Sequence, residues 1–206
     1  LMMISMVAIG AVDARAAMVE IKIQNLTVGQ VFSPAAIVVH KPTFELFKVG
    51  ESAQAAVYMV AEDGVTDAAK ALESRLDVDS VTVASPVMPG KTISVRVAVP
   101  KGHRISFVSM LASTNDGFHG VSGVSVPAKG LSVERFVPAY DAGTEANSES
   151  CAYVPGPPCS AHRVRMPVGA EGFVTIHNGI HGVADLFASL LDWRNPVSRV
   201  LVRQVD

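Results

Sequence analysis

Residues 92–99 read Thr-Ile-Ser-Val-Arg-Val-Ala-Val. Apolar side chains occupy every second position of this stretch, namely Ile93, Val95, Val97 and Val99. Because successive side chains of a β-strand point to opposite faces, this alternation predicts a strand with one buried face. We therefore expect a fold built on half-buried strands.

The same alternation recurs on both sides of this segment. It predicts further strands at residues 19–24, 37–40, 81–83, 105–111, 173–176 and 197–205. Turn residues separate neighbouring strands, as at Pro89-Gly90 and Lys101-Gly102. This spacing is typical of hairpins and meanders.

Only the region near residues 50–77 changes to spacings of three and four, which predicts a short helical insertion. One helix is expected to end near Gly64, and a second to be capped by Thr66 or Asp67. The second helix is expected to bury the stripe Ala68, Ala71, Leu72 and Leu76. Many strands with one helical insertion favour a mainly β fold, an antiparallel β-sandwich formed by residues 17–206 as one domain.

The composition excludes several classes of protein. With 49% hydrophobic residues the chain is not disordered. Its formal net charge is −2 and it has no basic stretch, so binding to nucleic acid or to an anionic membrane has no electrostatic support. No apolar run reaches the roughly 20 residues that span a bilayer, so we expect a protein that does not span the membrane.

Residues 1–16 are expected to be a truncated signal peptide. The apolar run Leu1–Gly10 is followed by Ala14-Arg15-Ala16, which fits the small-x-small cleavage pattern before Ala17. The alternative is a buried first strand or helix. A signal peptide predicts a periplasmic or secreted protein.

Cys151 and Cys159 are the only two cysteines, and they close the short loop Cys-Ala-Tyr-Val-Pro-Gly-Pro-Pro-Cys. Such a pair predicts a disulfide bond formed in an oxidising compartment. In the chain-entropy model the bond stabilises the fold by about 2–3 kcal/mol. A zinc site is the weaker alternative, because zinc sites use closer cysteine spacing and further ligands.

Two loops carry acidic residues that could bind a metal. Asp116 lies in Thr114–Phe118, and Asp141 and Glu145 lie in Tyr140–Asn147. Gly143 permits positive φ, so the second loop can curl and direct both carboxylates to one point. Calcium takes six to eight oxygen ligands, and converging carboxylates would repel one another without a cation. The alternative is a pair of ordinary turns with local hydrogen bonds.

Six short motifs together resemble the bacterial branch of the spondin amino-terminal-domain family. They are Asn25-Leu26-Thr27 (also formally a glycosylation sequon), Ser109-Met110-Leu111, Thr114-Asn115-Asp116-Gly117-Phe118, Tyr140-Asp141-Ala142-Gly143-Thr144-Glu145, His177-Asn178-Gly179-Ile180-His181 and Trp193-Arg194-Asn195-Pro196-Val197. The resemblance extends from about Val19 to Val205. The Asp-Ala-Gly-Thr-acidic motif is its most specific part.

This resemblance implies an exported, C2-like antiparallel β-sandwich. In animal members three acidic residues hold a calcium ion, and the matching positions are Asp116, Asp141 and Glu145. Glu145 stands where the family has Asp, which leaves the calcium affinity open. The implied function is a calcium-binding, non-catalytic binding or adhesion module of the cell envelope or extracellular space. Its partner would be an extracellular protein or a glycan.

His177 and His181 form a possible second site. On a helix this spacing would place two imidazoles on one face, as in zinc sites, and the alternative function is a metal-dependent hydrolase that uses them beside the acidic loops. Because they follow a β-like run, we favour a strand-to-loop turn in which both histidines bond loop backbone. The sequence contains neither G-x-S-x-G nor H-E-x-x-H, so we do not expect an enzyme.

Trp193, Arg194 and Asn195 are expected to lock the loop before the final strand, with an exposed binding surface as the alternative. A third possible function is a structural domain of an envelope assembly. An exposed apolar patch or an unpaired sheet edge would favour that function.

Overall fold

The computed structural model describes residues 16–206, so the predicted signal peptide lies outside the described residues except for Ala16. The strands are β1 (Ala17–Asn25), β2 (Ala36–His40), β3 (Val78–Val83), β4 (Thr92–Val99), β5 (Arg104–Met110), β6 (Gly117–Ser125), β7 (Ser132–Val137), β8 (Tyr140–Asp141), β9 (Thr175–Ile176) and β10 (Ser198–Gln204). The helices are α1 (Ala55–Asp63), α2 (Asp67–Lys70), which continues as a 3₁₀ turn over Ala71–Ser74, and α3 (Ala188–Leu191).

The strands form two antiparallel sheets, which confirms the predicted mainly β sandwich. The four-stranded sheet has the order β4-β1-β10-β7, and the six-stranded sheet has the order β3-β2-β5-β6-β8-β9. β1 lies between β4 and β10, so that Ile21 is opposite Val95 on one side and Val202 on the other. The smaller sheet therefore joins segments that are far apart in the sequence.

The main core lies between the two sheets. It is built from the alternating positions that the sequence predicted. Its fully or almost fully buried members include Val19, Ile21, Ile23, Ile37, Val39, Val97, Val99, Ile105, Phe107, Val200 and Val202. Burial of one face of each strand removes this apolar area from water and stabilises the sandwich.

β2 is buried on both faces, and this requires the helical insertion. Ile37 and Val39 face the inter-sheet core, whereas Ala36 and Val38 pack against α1 and its neighbours. A strand that is covered on both sides reads as a continuous apolar run, as this one does. Gly64 ends α1 in the left-handed conformation, with φ of 67° and its N–H bonded to the Val60 carbonyl at 2.8 Å, as the sequence predicted.

The stripe predicted for the second helix is wrong in part. Leu72 is buried, but Ala71 is exposed, and Ala69 is buried instead of Ala68. Leu76 is 94% exposed because the helical segment ends before Arg75, whose backbone is extended. Leu76 therefore lies in the connection to β3. The late strand is also shorter than predicted, since only Thr175–Ile176 of residues 173–176 pair.

The contrast between Ile21 and Leu76 gives a direct test of this packing. Replacement of Ile21, which is 1% exposed, by Ala should lower the free energy of unfolding by about 2–5 kcal/mol because it leaves a cavity between the sheets. Leu76→Ala is the control and should change it by less than about 0.5 kcal/mol. Urea unfolding followed by circular dichroism measures both. Equal losses of unfolding free energy in the two variants would contradict the placement of Ile21 in the core.

Candidate functional site

The two acidic loops meet at one end of the paired strands β6 and β8 of the six-stranded sheet. β6 begins at Gly117, directly after Asp116, and β8 ends at Asp141. Gly117 is paired with Asp141 across the two strands, and the Ala142 N–H donates to the Asp116 carbonyl at 3.1 Å. Strand pairing therefore brings Asp116 and Asp141 together although they are distant in the sequence.

Asp116 is fully buried, and its two carboxylate oxygens differ in their hydrogen bonding. Oδ2 accepts hydrogen bonds from the backbone N–H groups of Thr144 and Glu145 at 2.7 and 3.0 Å, and from the Thr144 hydroxyl at 3.2 Å. Oδ1 is buried and has no hydrogen-bond partner among residues 16–206. A buried, unpartnered carboxylate oxygen is costly, so this atom marks a place where a cation or proton would be stabilised.

Asp141 stabilises the curled conformation of its own loop by accepting two hydrogen bonds. Its Oδ1 accepts the Gly143 N–H at 2.7 Å, and its Oδ2 accepts the Asn147 amide at 2.6 Å. Gly143 has φ of 68°, and a Cβ at this position would overlap the backbone of Phe173. Only glycine fits here without strain, so the curl predicted from the sequence has a structural cause.

Two buried carboxylates, Asp116 and Asp141, dominate the electrostatics of this site. Burial and the negative charge of Asp141 raise the pKa of Asp116 to about 8, against the lowering effect of the Thr144 and Glu145 hydrogen bonds. Burial also raises the pKa of Asp141. In the described part of the chain neither carboxylate forms an ion pair with Lys or Arg. A positive charge at this position would relieve both groups.

Glu145, the third predicted ligand, is hydrogen-bonded through its side chain to a different segment of the chain. Its side chain is buried, and its Oε1 accepts the Met166 N–H at 2.7 Å. Burial raises the pKa of Glu145 to about 7, with further effects from the nearby ion pair of Glu62 and Arg165 at 2.7 Å. Among residues 16–206, no three His, Cys, Asp or Glu side chains are grouped so that they could hold a metal ion. The structure thus brings two of the three predicted carboxylates together.

Glu149 is an organising residue that the sequence analysis missed. Its carboxylate accepts three backbone N–H groups, from His181 at 2.6 Å, Gly182 at 2.7 Å and Val183 at 3.0 Å. Its own N–H donates to the Asn115 side chain at 3.1 Å, and its φ is 54°. Because Glu149 lies between two serines without a local motif, no sequence signal identified it.

The two histidines lie on the loop after β9 and not on a helix. His177 is buried, its Nδ1 accepts the Gly179 N–H at 3.0 Å, and its ring packs edge-on against Trp193. Burial lowers the pKa of His177 to about 4, so the ring is neutral at pH 7. His181 is exposed, and its Nε2 lies 3.1 Å from the Asn178 carbonyl. Both rings therefore bond the backbone of their own loop.

The predicted disulfide between Cys151 and Cys159 is confirmed. The loop closed by the disulfide contacts the turn before Asp116, where the Ser113 hydroxyl donates to the Pro157 carbonyl at 2.5 Å. Gly156 also lies so close to Ala112 that a side chain there would overlap the Ala112 backbone. The disulfide thus supports the acidic site from outside.

Asn25 and Asn195 fix the ends of the long loops. Asn25 is fully buried; its amide donates to the carbonyls of Gln30 and Val87, and its Oδ1 accepts from Thr27. The sequon asparagine is therefore inaccessible in the folded protein. Asn195 accepts the Ala139 N–H at 2.9 Å, which joins the loop before β10 to the segment between β7 and β8.

Comparison with known proteins identified one protein family that matches this chain. A protein-family model described as Spondin_N matches residues 25–161, more than half of the chain. A search of the curated proteins gave no match. Within residues 16–206 there is no helix of the length and apolar character needed to cross a bilayer.

The raised pKa of Asp116 predicts an unusual pH dependence. In the folded state this pKa rises from 3.8 to about 8, so the folded state binds the Asp116 proton more tightly than the unfolded state does. The resulting stabilisation is complete below about pH 4 and is lost as the pH rises toward 8. In EDTA, the melting temperature should therefore decrease as the pH is raised from about 5 to about 8. Asp116→Asn should flatten that part of the profile. If the melting temperature of this variant depended on pH as steeply as that of the wild type, the pH dependence could not be assigned to Asp116.

Glu149 should stabilise the fold through its three backbone hydrogen bonds. Glu149→Gln places an amide group against N–H donors and should lower the free energy of unfolding by about 2 kcal/mol or more. The matched control is Glu73→Gln, since within residues 16–206 the exposed Glu73 carboxylate accepts only the Val81 N–H. It should change the free energy of unfolding by less than about 1 kcal/mol. Urea unfolding of both variants provides the comparison.

Proposed function

Because this chain belongs to the Spondin_N family, we propose that it is an exported, calcium-binding module that recognises a partner without catalysing a reaction. The observation that supports calcium most strongly is the buried Asp116 Oδ1, which has no hydrogen-bond partner in the described part of the chain and lies beside a second buried acid. A hard cation prefers carboxylate oxygens of this kind.

The residues present fit a calcium ion. Asp116 and Asp141 would supply carboxylate oxygens, and the loop between Asp141 and Asn147 would supply further oxygens from its backbone and side chains. Bound calcium would neutralise two acids that otherwise repel each other. Because Asp116 also bonds the backbone of Thr144 and Glu145, neutralisation would stabilise the loop and the β6–β8 pairing at the same time.

A surface near α3 supports the proposal of a binding module. Val28 is 89% exposed, and Phe187 and Leu190 are 65% and 64% exposed. Leu26, Val28 and Trp193 line a shallow groove together with Arg194. Exposed apolar side chains beside Trp and Arg are typical of protein-binding surfaces, so we favour an extracellular protein over a glycan as the partner.

Export is supported by two independent features. The Cys151–Cys159 disulfide requires an oxidising compartment, and Spondin_N domains belong to spondin-like extracellular proteins. The hydrolase alternative lacks comparable support. The His177 Nδ1 is already used by Gly179, and neither imidazole forms a hydrogen bond with Asp116 or Asp141 in the described residues.

Thermal unfolding tests the calcium proposal. If the dissociation constant is about 0.1 mM, 10 mM calcium should stabilise the EDTA-treated protein by about 2.7 kcal/mol through mass action, and the melting temperature should rise. Asp116→Asn and Asp141→Asn should abolish the rise. Asp79→Asn, which removes an exposed carboxylate on β3, should keep it.

Three other outcomes would oppose this function. The absence of any response to calcium would remove the calcium part of the proposal. A response to zinc alone would favour the two histidines. An equal response in the Asp79→Asn and Asp116→Asn variants would place the ion elsewhere.

A further inference from the structure

The six-stranded sheet has an unpaired edge along part of β6. β8 pairs with Gly117 and Phe118, the first two residues of this strand. Continuation of the same register would place Pro138 opposite Gly120, and proline has no N–H to donate to a ladder. In the described residues, therefore, no strand lies beside residues 119–125 on the side away from β5.

The hydrogen-bond pattern of β6 shows which backbone groups face this open side. In an antiparallel pair, every second residue of a strand bonds the same neighbour. The Gly117 carbonyl accepts the Leu111 N–H at 2.9 Å, so the backbone groups of His119 and Val121 also face β5. Gly120 lies between them and directs its N–H and carbonyl to the open side, where an added strand could bond them.

β7 forms the opposite wall of a groove beside this edge. This strand lies at the edge of the four-stranded sheet, next to β10. Gly120 and Val121 line a cavity of about 300 Å³ together with residues 135–138. The half-buried rings of Phe47 and Tyr140, with centroids 5.2 Å apart, complete the lining. The groove thus combines an open strand edge with aromatic and aliphatic side chains.

Arg135 is the charged residue among those that line this groove. It shares a face of β7 with Val133 and Val137, both of which pack against the core between the sheets. Its Nη1 donates to the Glu134 carbonyl at 2.9 Å, and within residues 16–206 it forms no ion pair with a carboxylate. A guanidinium group at the edge of an apolar groove favours a ligand that carries a carboxylate.

We propose that this groove binds an extended, acidic segment of a partner protein by addition of a strand to the open edge of β6. The backbone groups of Gly120 bond the added strand. Alternate apolar side chains of the segment contact Phe47, Val121 and Tyr140. An acidic side chain on the same face of the segment binds Arg135. This interaction goes beyond the proposed function, because it requires neither calcium nor the surface near α3.

NMR titration of the isotope-labelled protein with a heptapeptide tests this proposal. The probe is acetyl-Thr-Val-Thr-Glu-Thr-Val-Thr-amide, in which the two Val and the Glu share one face of an extended strand. We expect its addition to shift the amide signals of Gly120, Val121 and Arg135. The same peptide with Gln in place of Glu should bind at least about fivefold more weakly, because it loses a charge-assisted hydrogen bond.

Variants of the protein and of the peptide separate carboxylate recognition from strand addition. Arg135→Gln should bind the Glu and Gln peptides equally. Arg96→Gln is the matched control, since it removes an exposed arginine from β4 at the other edge of the same sheet, and it should keep the preference for Glu. Two further peptides are N-methylated on alternate amides, one along each edge. At least one of them should lose binding, because the edge that pairs with β6 needs its N–H groups.

Four outcomes would overturn the proposal. The absence of amide shifts with millimolar Glu peptide would leave Arg135 as a charge that protects a strand edge from aggregation. Shifts confined to residues 188–194 would place peptide binding in the groove near α3. Binding that neither N-methylated peptide weakens would exclude strand addition. If sedimentation equilibrium detects a wild-type dimer that Arg135→Gln abolishes, and the peptide does not bind, the groove belongs to a second copy of this chain.

Discussion

Buried carboxylates that accept backbone N–H groups hold together the part of this protein that has little regular structure. Between β8 and β10 the described chain forms only a two-residue strand and one short helix, so sheet pairing satisfies few of its amides. Asp116 and Glu149 supply the missing acceptors for five N–H groups of residues 144–145 and 181–183. Hydrogen bonds to charged acceptors are stronger than neutral ones, and they can order a long loop.

The same carboxylates create an electrostatic conflict. Asp116 and Asp141 must approach each other because β6 pairs with β8, yet no basic side chain in the described residues neutralises them. A proton or a cation at this position would therefore be stabilised. In the proposed calcium site, loop order and ion binding would be two effects of one arrangement.

The sequence predicted the sheets better than the loops. Alternation at residues 92–99 and 19–24 identifies half-buried strands because one face of each strand meets the core, and Gly143 identifies the curl because only glycine fits there. The exposure of Leu76 and the role of Glu149 follow from where the chain turns in space, which local periodicity does not encode. The Glu145 side chain is hydrogen-bonded to Met166, twenty-one positions later. These contacts carry no local sequence signal.

The position of β10 determines when the sandwich can be completed. This strand lies between β1 and β7 and pairs with both, so the smaller sheet has no continuous hydrogen bonding until residues 198–204 are in place. Because these pairings join distant parts of the chain, their formation carries a loop-closure entropy cost. A chain that passes through a translocation pore in the N-to-C direction would keep β1 and β7 unjoined until β10 emerges.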